Sequence, residues 1–227
     1  MRRPELFDDW PKRYDDWFRT PIGQVVRRVE GDLVNEMLMP GPGEHLLDAG
    51  CGTGLFTLDF LNAGAAVVGL DVSVPMLRAA VAKARGCPFS AVAGDMLRLP
   101  LRDGSFDKTV SVTALEFIAE GRGAVAELFR VTRPGGLVVV ATLNSLSPWA
   151  ARRRAKTARG EHHVLEGAYY RSPDELLALA PVPGIARTSV HFLKDDDPVR
   201  ALEIERAGRE RALATGAFVI ARWRKRA

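Results

Sequence analysis

Cysteine is nearly absent from this chain: Cys51 and Cys87 are the only thiols in 227 residues. Two thiols exclude a disulfide framework and a four-thiolate zinc site, so a reducing, cytoplasmic setting is expected. No apolar run approaches the ~18 residues that a membrane span takes. The opening segment MRRPELFDDWPKRYDDWF is charged throughout, so neither a membrane span nor a signal peptide is expected. Neither sign of charge dominates: 32 Lys and Arg against 28 Asp and Glu leave a net +4. The excess sits in ARRRAKTAR, residues 151–159, and in the tail RWRKRA. Solvated faces are the ordinary meaning of such clusters, and nucleic acid is disfavoured as a partner. There is no internal repeat and no low-complexity linker.

What is present is an ordinary globular balance, 47% hydrophobic and 26% charged, arranged in an alternating pattern. LLDAG, AVVGLDV, FSAVAGD, DKTVSVTAL and LVVVATLN are strand candidates. Between them TGLFTLDFLNAGA, VPMLRAAVAKARG and GAVAELFRVTRPGG carry apolar residues at helical spacing and close on glycine. The first of these helices is expected to begin near Thr53, and the third to stop at its Pro-Gly-Gly. This alternation predicts an α/β fold: a doubly wound, Rossmann-like, mostly parallel sheet with helices on both faces. ARTSVHFL and GAFVIARW, separated by a charged helix, would add an antiparallel edge and bring the sheet to seven strands. One domain is expected over 1–227: an N-terminal helical lid (1–35), a core (36–144), a cap or loop without clean periodicity (145–171), and a C-terminal helix with edge strands (172–227).

The chemistry gathers at strand ends. Asp48 closes the first strand and is followed by Gly50, Cys51, Gly52 and Gly54. Ligands of open parallel sheets bind beyond the carboxyl ends of the strands, and a glycine turn there lets backbone approach a ligand closely. Asp71 ends the second strand 21 positions after Gly50, the spacing at which a carboxylate accepts both hydroxyls of a ribose. Asp95 ends the third, where it could accept from an adenine amino group while Met96 packs on the ring. A dinucleotide turn spaces its glycines G-x-G-x-x-G. Here Leu55 stands where the last glycine belongs, which speaks against a dehydrogenase.

The set LLDAGCGTG, GLDVS, AGDMLRLPLRDGSFD, ALEFI and RVTRPGG, spread over about residues 44–143, resembles the class I S-adenosylmethionine-dependent methyltransferases. The likeness is greatest to the branch that includes the ubiquinone and menaquinone C-methyltransferases. It implies S-adenosyl-L-methionine as cofactor, with Gly50, Gly52 and Gly54 against its methionine part and Asp71 on the ribose. Val72 and Met76 would flank the adenine, Asp95 and Met96 would complete its pocket, and backbone around Thr113 and Leu115 would line the other side. Asp48 and Cys51 belong to the same wall.

A YD pair near the amino terminus of small-molecule members closes over the cofactor, so Tyr14 is a candidate lid residue near the sulfonium. Trp10, Tyr14, Trp17 and Phe18 equally have the spacing of an amphipathic helix packed on the sheet. Candidates for a general base are Tyr14, Glu116 and His162 or His163, with helix packing as the alternative for Tyr14, local capping for Glu116 and solvation for the histidines. Asn144, Ser147 and Trp149 could face the acceptor. Arg152, Arg153 and Arg154 could meet an anionic group or solvent. Two thiols disfavour arsenite, and the absence of an Asn-Pro-Pro-Tyr tetrapeptide disfavours bases or protein glutamine as acceptor. The expected reaction is methyl transfer to a small organic molecule by in-line displacement, from a monomer or homodimer. The alternatives are an RNA or protein acceptor, or a non-catalytic cofactor-binding module. No metal ligand set is expected.

Overall fold

A computed structural model describes residues 11–161 and 165–226. Two helices, α1 (Pro11–Arg19) and α2 (Pro21–Leu38), precede the alternating segment. That segment runs β1 (His45–Ala49), α3 (Thr57–Asn62), β2 (Ala66–Asp71), α4 (Val74–Lys83), β3 (Phe89–Ala93), β4 (Phe106–Val112), α5 (Gly121–Val131) and β5 (Thr132–Leu143). After it come α6 (Pro148–Ala158), α7 (Pro173–Leu177), β6 (Gly184–Ser189), α8 (Pro198–Glu210) and β7 (Phe218–Arg224). The seven strands lie in the order β3-β2-β1-β4-β5-β7-β6. Only β7 runs antiparallel, to both of its neighbours.

Side chains of successive strand residues point to opposite faces, and the chain builds a core on each. Leu46, Val139 and Ile220 pack with α2, α3 and α8 on one side. Their sequence neighbours Leu47, Val138 and Ala221 pack with α5 and α7 on the other. Burial on both faces explains why these strands read as continuous apolar runs. The helix starts follow the chain's capping residues. Thr20, Ser73, Ser147, Ser172 and Asp197 each accept a backbone N–H at a helix start and are followed by proline at the first or second helical position.

Three expectations change. Residues 148–158 form a helix rather than an irregular cap. Ser147 caps it, and its run of straight-chain Arg and Lys favours helix without an apolar stripe, Ala150 being its one buried residue. Helix α3 begins at Thr57, four residues beyond Thr53, because the glycine turn continues to Gly54 with φ +78°. Pro134-Gly135-Gly136 does not stop a helix: α5 ends at Val131 and β5 starts at Thr132. The glycines sit where the β4–β5 register shifts, an irregular place in a strand that tolerates proline.

Candidate active site

Strand order reverses at β1, whose neighbours are β2 and β4, and a cleft of ≈ 1250 Å³ opens beyond the carboxyl ends of these strands. Its first wall is the glycine turn. Gly50 has φ +78°, and a Cβ there would stand 2.3 Å from the Ala114 Cβ, so only glycine fits. Gly52 has φ +53°, but a Cβ on it would meet nothing within 4 Å, so the turn offers an open cradle. Gly54 does not line the cleft. Its Cβ position lies 3.1 Å from Ala80, and it lets the turn seat against α4.

Asp71 braces this turn. Asp71 Oδ2 accepts from the Gly52 N–H at 2.9 Å and Oδ1 from the Ser73 N–H at 2.9 Å. The Val72 N–H bonds the same carboxylate, which still keeps acceptor capacity for a ligand hydroxyl. Burial holds the Asp71 carboxyl above its usual range, against the pull of these N–H bonds. Asp48, 2% exposed, accepts from the Thr57 hydroxyl at 2.6 Å, and burial pushes it up to about 7. Burial also raises the Cys51 thiol, with Asp48 and Asp71 adding to the shift. Asp95 Oδ1 accepts from the Leu97 N–H at 2.9 Å, and Val72, Met76, Asp95 and Met96 all line the cleft.

Helix α1 lies over the cleft, and Asp15 ties it to the glycine turn. Asp15 accepts from Lys83 at 2.7 Å and from the buried Thr53 hydroxyl, inside the glycine turn, at 2.7 Å. Lys83 also donates to Thr53 at 2.9 Å. Beside Asp15, Tyr14 reaches across to a hydrogen bond with Thr113. Thr113, just past β4, has φ +49°, a left-handed conformation that β-branched residues rarely adopt. Burial raises the Tyr14 phenol far above its ordinary range, Glu30 and Glu116 push the same way, and Thr113 and Arg27 oppose.

Glu116 is 2% exposed and accepts from the Thr142 hydroxyl at 3.0 Å. Burial raises it to about 7, with Arg171 and Arg153 opposing. Arg171 is fixed by donating to the carbonyls of Leu115, Ile118 and Tyr169. Glu30 of α2 shares the cleft. Burial raises its carboxyl to about 8; Arg27 and Arg153 oppose this, while Glu116 and Glu205 add to it. Aromatic Trp17, Phe18 and Trp149 and basic Arg152, Arg153 and Lys156 complete the surroundings.

Most of the residues singled out from the sequence therefore meet at one cleft. Leu115 does not reach it: the side chain is fully buried in the α5-side core, while Ala114 and Glu116 on either side line the cleft. Asn144 is a staple, donating to the Ala214 and Gly216 carbonyls, and Ser147 is a helix cap. Trp149 lines the cleft and is held by its indole N–H on the Phe192 carbonyl at 2.6 Å. Trp10, His162 and His163 lie outside the described residues. Sequence reasoning passed over Glu30, although an acid amid Val26, Leu33 and Val34 on a buried helix face is a readable signal. Among the described residues no cluster fit to hold a metal is found.

The donors and acceptors suit an adenosyl ligand: an open glycine cradle, a braced carboxylate on the next strand end, and an acid with a methionine on the third. The comparisons agree. A family profile described as "Methyltransferase domain" matches residues 47–140. A demethylmenaquinone methyltransferase of Beutenbergia cavernae is 38% identical over 148 residues, 64% of this chain and 59% of its own length. The chain thus spans less than two thirds of that relative. A malonyl-[acyl-carrier protein] O-methyltransferase of Serratia marcescens is 31% identical over 188 residues, 74% of this chain and 73% of its own length. A solved structure of an S-adenosylmethionine-dependent methyltransferase of Thermotoga maritima, a possible histamine N-methyltransferase, superposes with TM-score 0.75 at 20% identity, covering 99% and 100% of the two chains. The chain belongs to the class I S-adenosylmethionine-dependent methyltransferases. S-adenosylmethionine is the cofactor of that class.

Proposed function

We propose that this protein transfers the methyl group of S-adenosylmethionine to a small organic acceptor held in the same cleft. The observation that carries the reading is the convergence of the glycine turn with Asp48, Asp71 and Asp95 on one cleft at the sheet's switch point. In this reading Gly50, Cys51 and Gly52 face the methionine part with their backbone, and Asp71 accepts the ribose hydroxyls. Val72 and Met76 flank the adenine, Asp95 and Met96 complete its pocket, and Gly54 and Leu115 shape the wall from behind. Tyr14 and Thr113 stand beside the reacting centre.

The cofactor brings an electrophilic methyl on a sulfonium sulfur. The chain's task is to align a nucleophile behind that methyl and to exclude water, and orientation supplies much of the rate. Helix α1, latched through Asp15, covers the cleft, and Trp17, Phe18 and Trp149 give the acceptor an apolar body to rest on. Arg152, Arg153 and Lys156 line this cleft, which supports a small acceptor held within it. A cytoplasmic monomer or homodimer is proposed; among the described residues no helix is long and apolar enough to cross a membrane.

Turnover of methyl-labelled cofactor in a metabolite extract, compared with an RNA and protein extract, tests this reading. Label is expected in small molecules alone. Label in the macromolecular fraction alone would move the function to RNA or protein, and cofactor binding without transfer in either would leave a binding module.

A further inference from the structure

Glu30 is 7% exposed and lines the cleft from the buried face of α2. No described residue hydrogen-bonds its carboxyl. The cations near it are occupied. Arg27 donates to Asp59 at 2.7 Å and to the Leu55 carbonyl at 2.9 Å, and its guanidinium lies 4.3 Å from the Phe56 ring centroid. Arg153 lies over the Trp149 and Tyr170 rings. Buried carboxyls ordinarily have a hydrogen-bond partner, and one that lacks a protein partner at a cleft wall is left open to water or to a ligand in the cleft. Glu116 differs, since Thr142 anchors one of its oxygens.

We propose that Glu30 is a catalytic residue: it accepts a hydrogen bond, then the proton, from an acceptor that presents an N–H or O–H to the methyl. This rests on the methyl-transfer reading above. Once Glu30 has lost its proton, its charge makes an anionic reacting atom, such as a carboxylate oxygen, unfavourable beside it, whereas an amine or hydroxyl donates to it and leaves Glu116 and Tyr14 to frame it. The balance is simple. The acceptor's lone pair forms the new bond to the methyl carbon. The carbon–sulfur bond breaks with its electron pair to sulfur, which leaves as a neutral thioether. The acceptor proton passes to the Glu30 carboxylate, and the resulting acid returns it to water after product leaves. Burial supports the role by placing this carboxyl near working pH. The charged or titratable groups around it are Tyr14 of α1, Arg27 of α2, Glu116 after β4, Arg153 of α6 and Glu205 of α8.

The test uses protein labelled with carbon-13 at the glutamate carboxyl, held at pH 8.5 so that Glu30 is ionised, and saturated with S-adenosylhomocysteine, with Glu30→Gln to assign the Glu30 resonance. Benzylamine and phenol are titrated as N–H and O–H probes and benzoate as the anion. At least one of the two donors is expected to shift the Glu30 resonance saturably, with a tenfold or greater loss of that probe's affinity in Glu30→Gln, and benzoate is expected to leave it in place. A benzoate shift as large as the donor's, no shift with either donor, or unchanged donor affinity in Glu30→Gln overturns the proposal. Calorimetry of S-adenosylhomocysteine on the same samples separates the two claims. Binding to both proteins leaves the probe result to decide on Glu30. No binding even to wild type overturns the cofactor reading and this proposal with it.

Discussion

Lys83 on α4 donates to Asp15 on α1 at 2.7 Å, the two side chains being 27% and 19% exposed, and both bond the Thr53 hydroxyl within the glycine turn. This three-residue knot couples the helix over the cleft to the cleft's own wall. Half-buried, charge-assisted bonds of this kind are each worth ~1.5–3 kcal/mol. Asp15→Ala is expected to release α1, to weaken S-adenosylhomocysteine binding about tenfold, and to speed proteolysis within residues 11–19. Asp15→Asn should recover part of the affinity, because the amide oxygen still accepts from Thr53. Calorimetry and limited proteolysis read the two effects; unchanged values in Asp15→Ala would show that the knot does not hold α1.

Gly50 and Gly52 separate folding from binding. A Cβ at Gly50 would collide with Ala114 at 2.3 Å, so Gly50→Ala is expected to destabilise the fold by ~2 kcal/mol or more. Gly52 also has a positive φ, +53°, yet open space beside it, so Gly52→Ala should cost only ~1–2 kcal/mol of backbone strain. The added methyl would stand in the cradle, and S-adenosylhomocysteine affinity should fall tenfold or more. Thermal melts and titrations of the two variants, side by side, show whether the loss tracks stability at Gly50 and ligand room at Gly52.

Glu30 makes stability fall as pH rises. Its folded value of about 8 lies above the free value of 4.5. Below the free value both states hold the proton. Between pH ~4.5 and ~8 the unfolded chain releases it while the folded chain retains it, so stability is lost progressively across that window. Glu30→Gln mimics the protonated form, and is expected to melt close to wild type at pH 5. At pH 8.5 it should be more stable than wild type by on the order of a few kcal/mol, and melt higher. Equal melting temperatures at both values would show that the carboxyl is not held in its neutral form. In the probe titrations at pH 8.5 the same substitution should weaken donor binding, so stability and binding would move in opposite directions.

The strand ends were legible because each does two things at once. LLDAG and VVGLD are apolar enough to be buried on both faces and finish on an acid, and the glycine turn follows the first without a gap. That combination disclosed both the sheet and one wall of the cleft. Helix α6 was hidden because its helical tendency comes from straight-chain cations, leaving no apolar stripe for periodicity to find. The resemblance puts Gly54 and the backbone around Leu115 at the cofactor; the Leu115 side chain points into the core and Gly54 seats the turn against α4. Glu30 lies far from every strand end in sequence. Only the packing of α2 against the sheet carries it to the cleft, beside a Tyr14 delivered by a different helix.

The central claim is that the cleft beyond β1, β2 and β4 binds the adenosyl cofactor through Asp71. Calorimetric titration of S-adenosylmethionine and S-adenosylhomocysteine into wild type and Asp71→Ala tests it most directly. Saturable one-to-one binding of both ligands by wild type is expected, with a loss of about a hundredfold or more in the variant. That loss reflects the removal both of the ribose acceptor and of the bond that holds the Gly52 N–H at 2.9 Å. No binding of either ligand by wild type, or equal affinity in Asp71→Ala, would contradict the account.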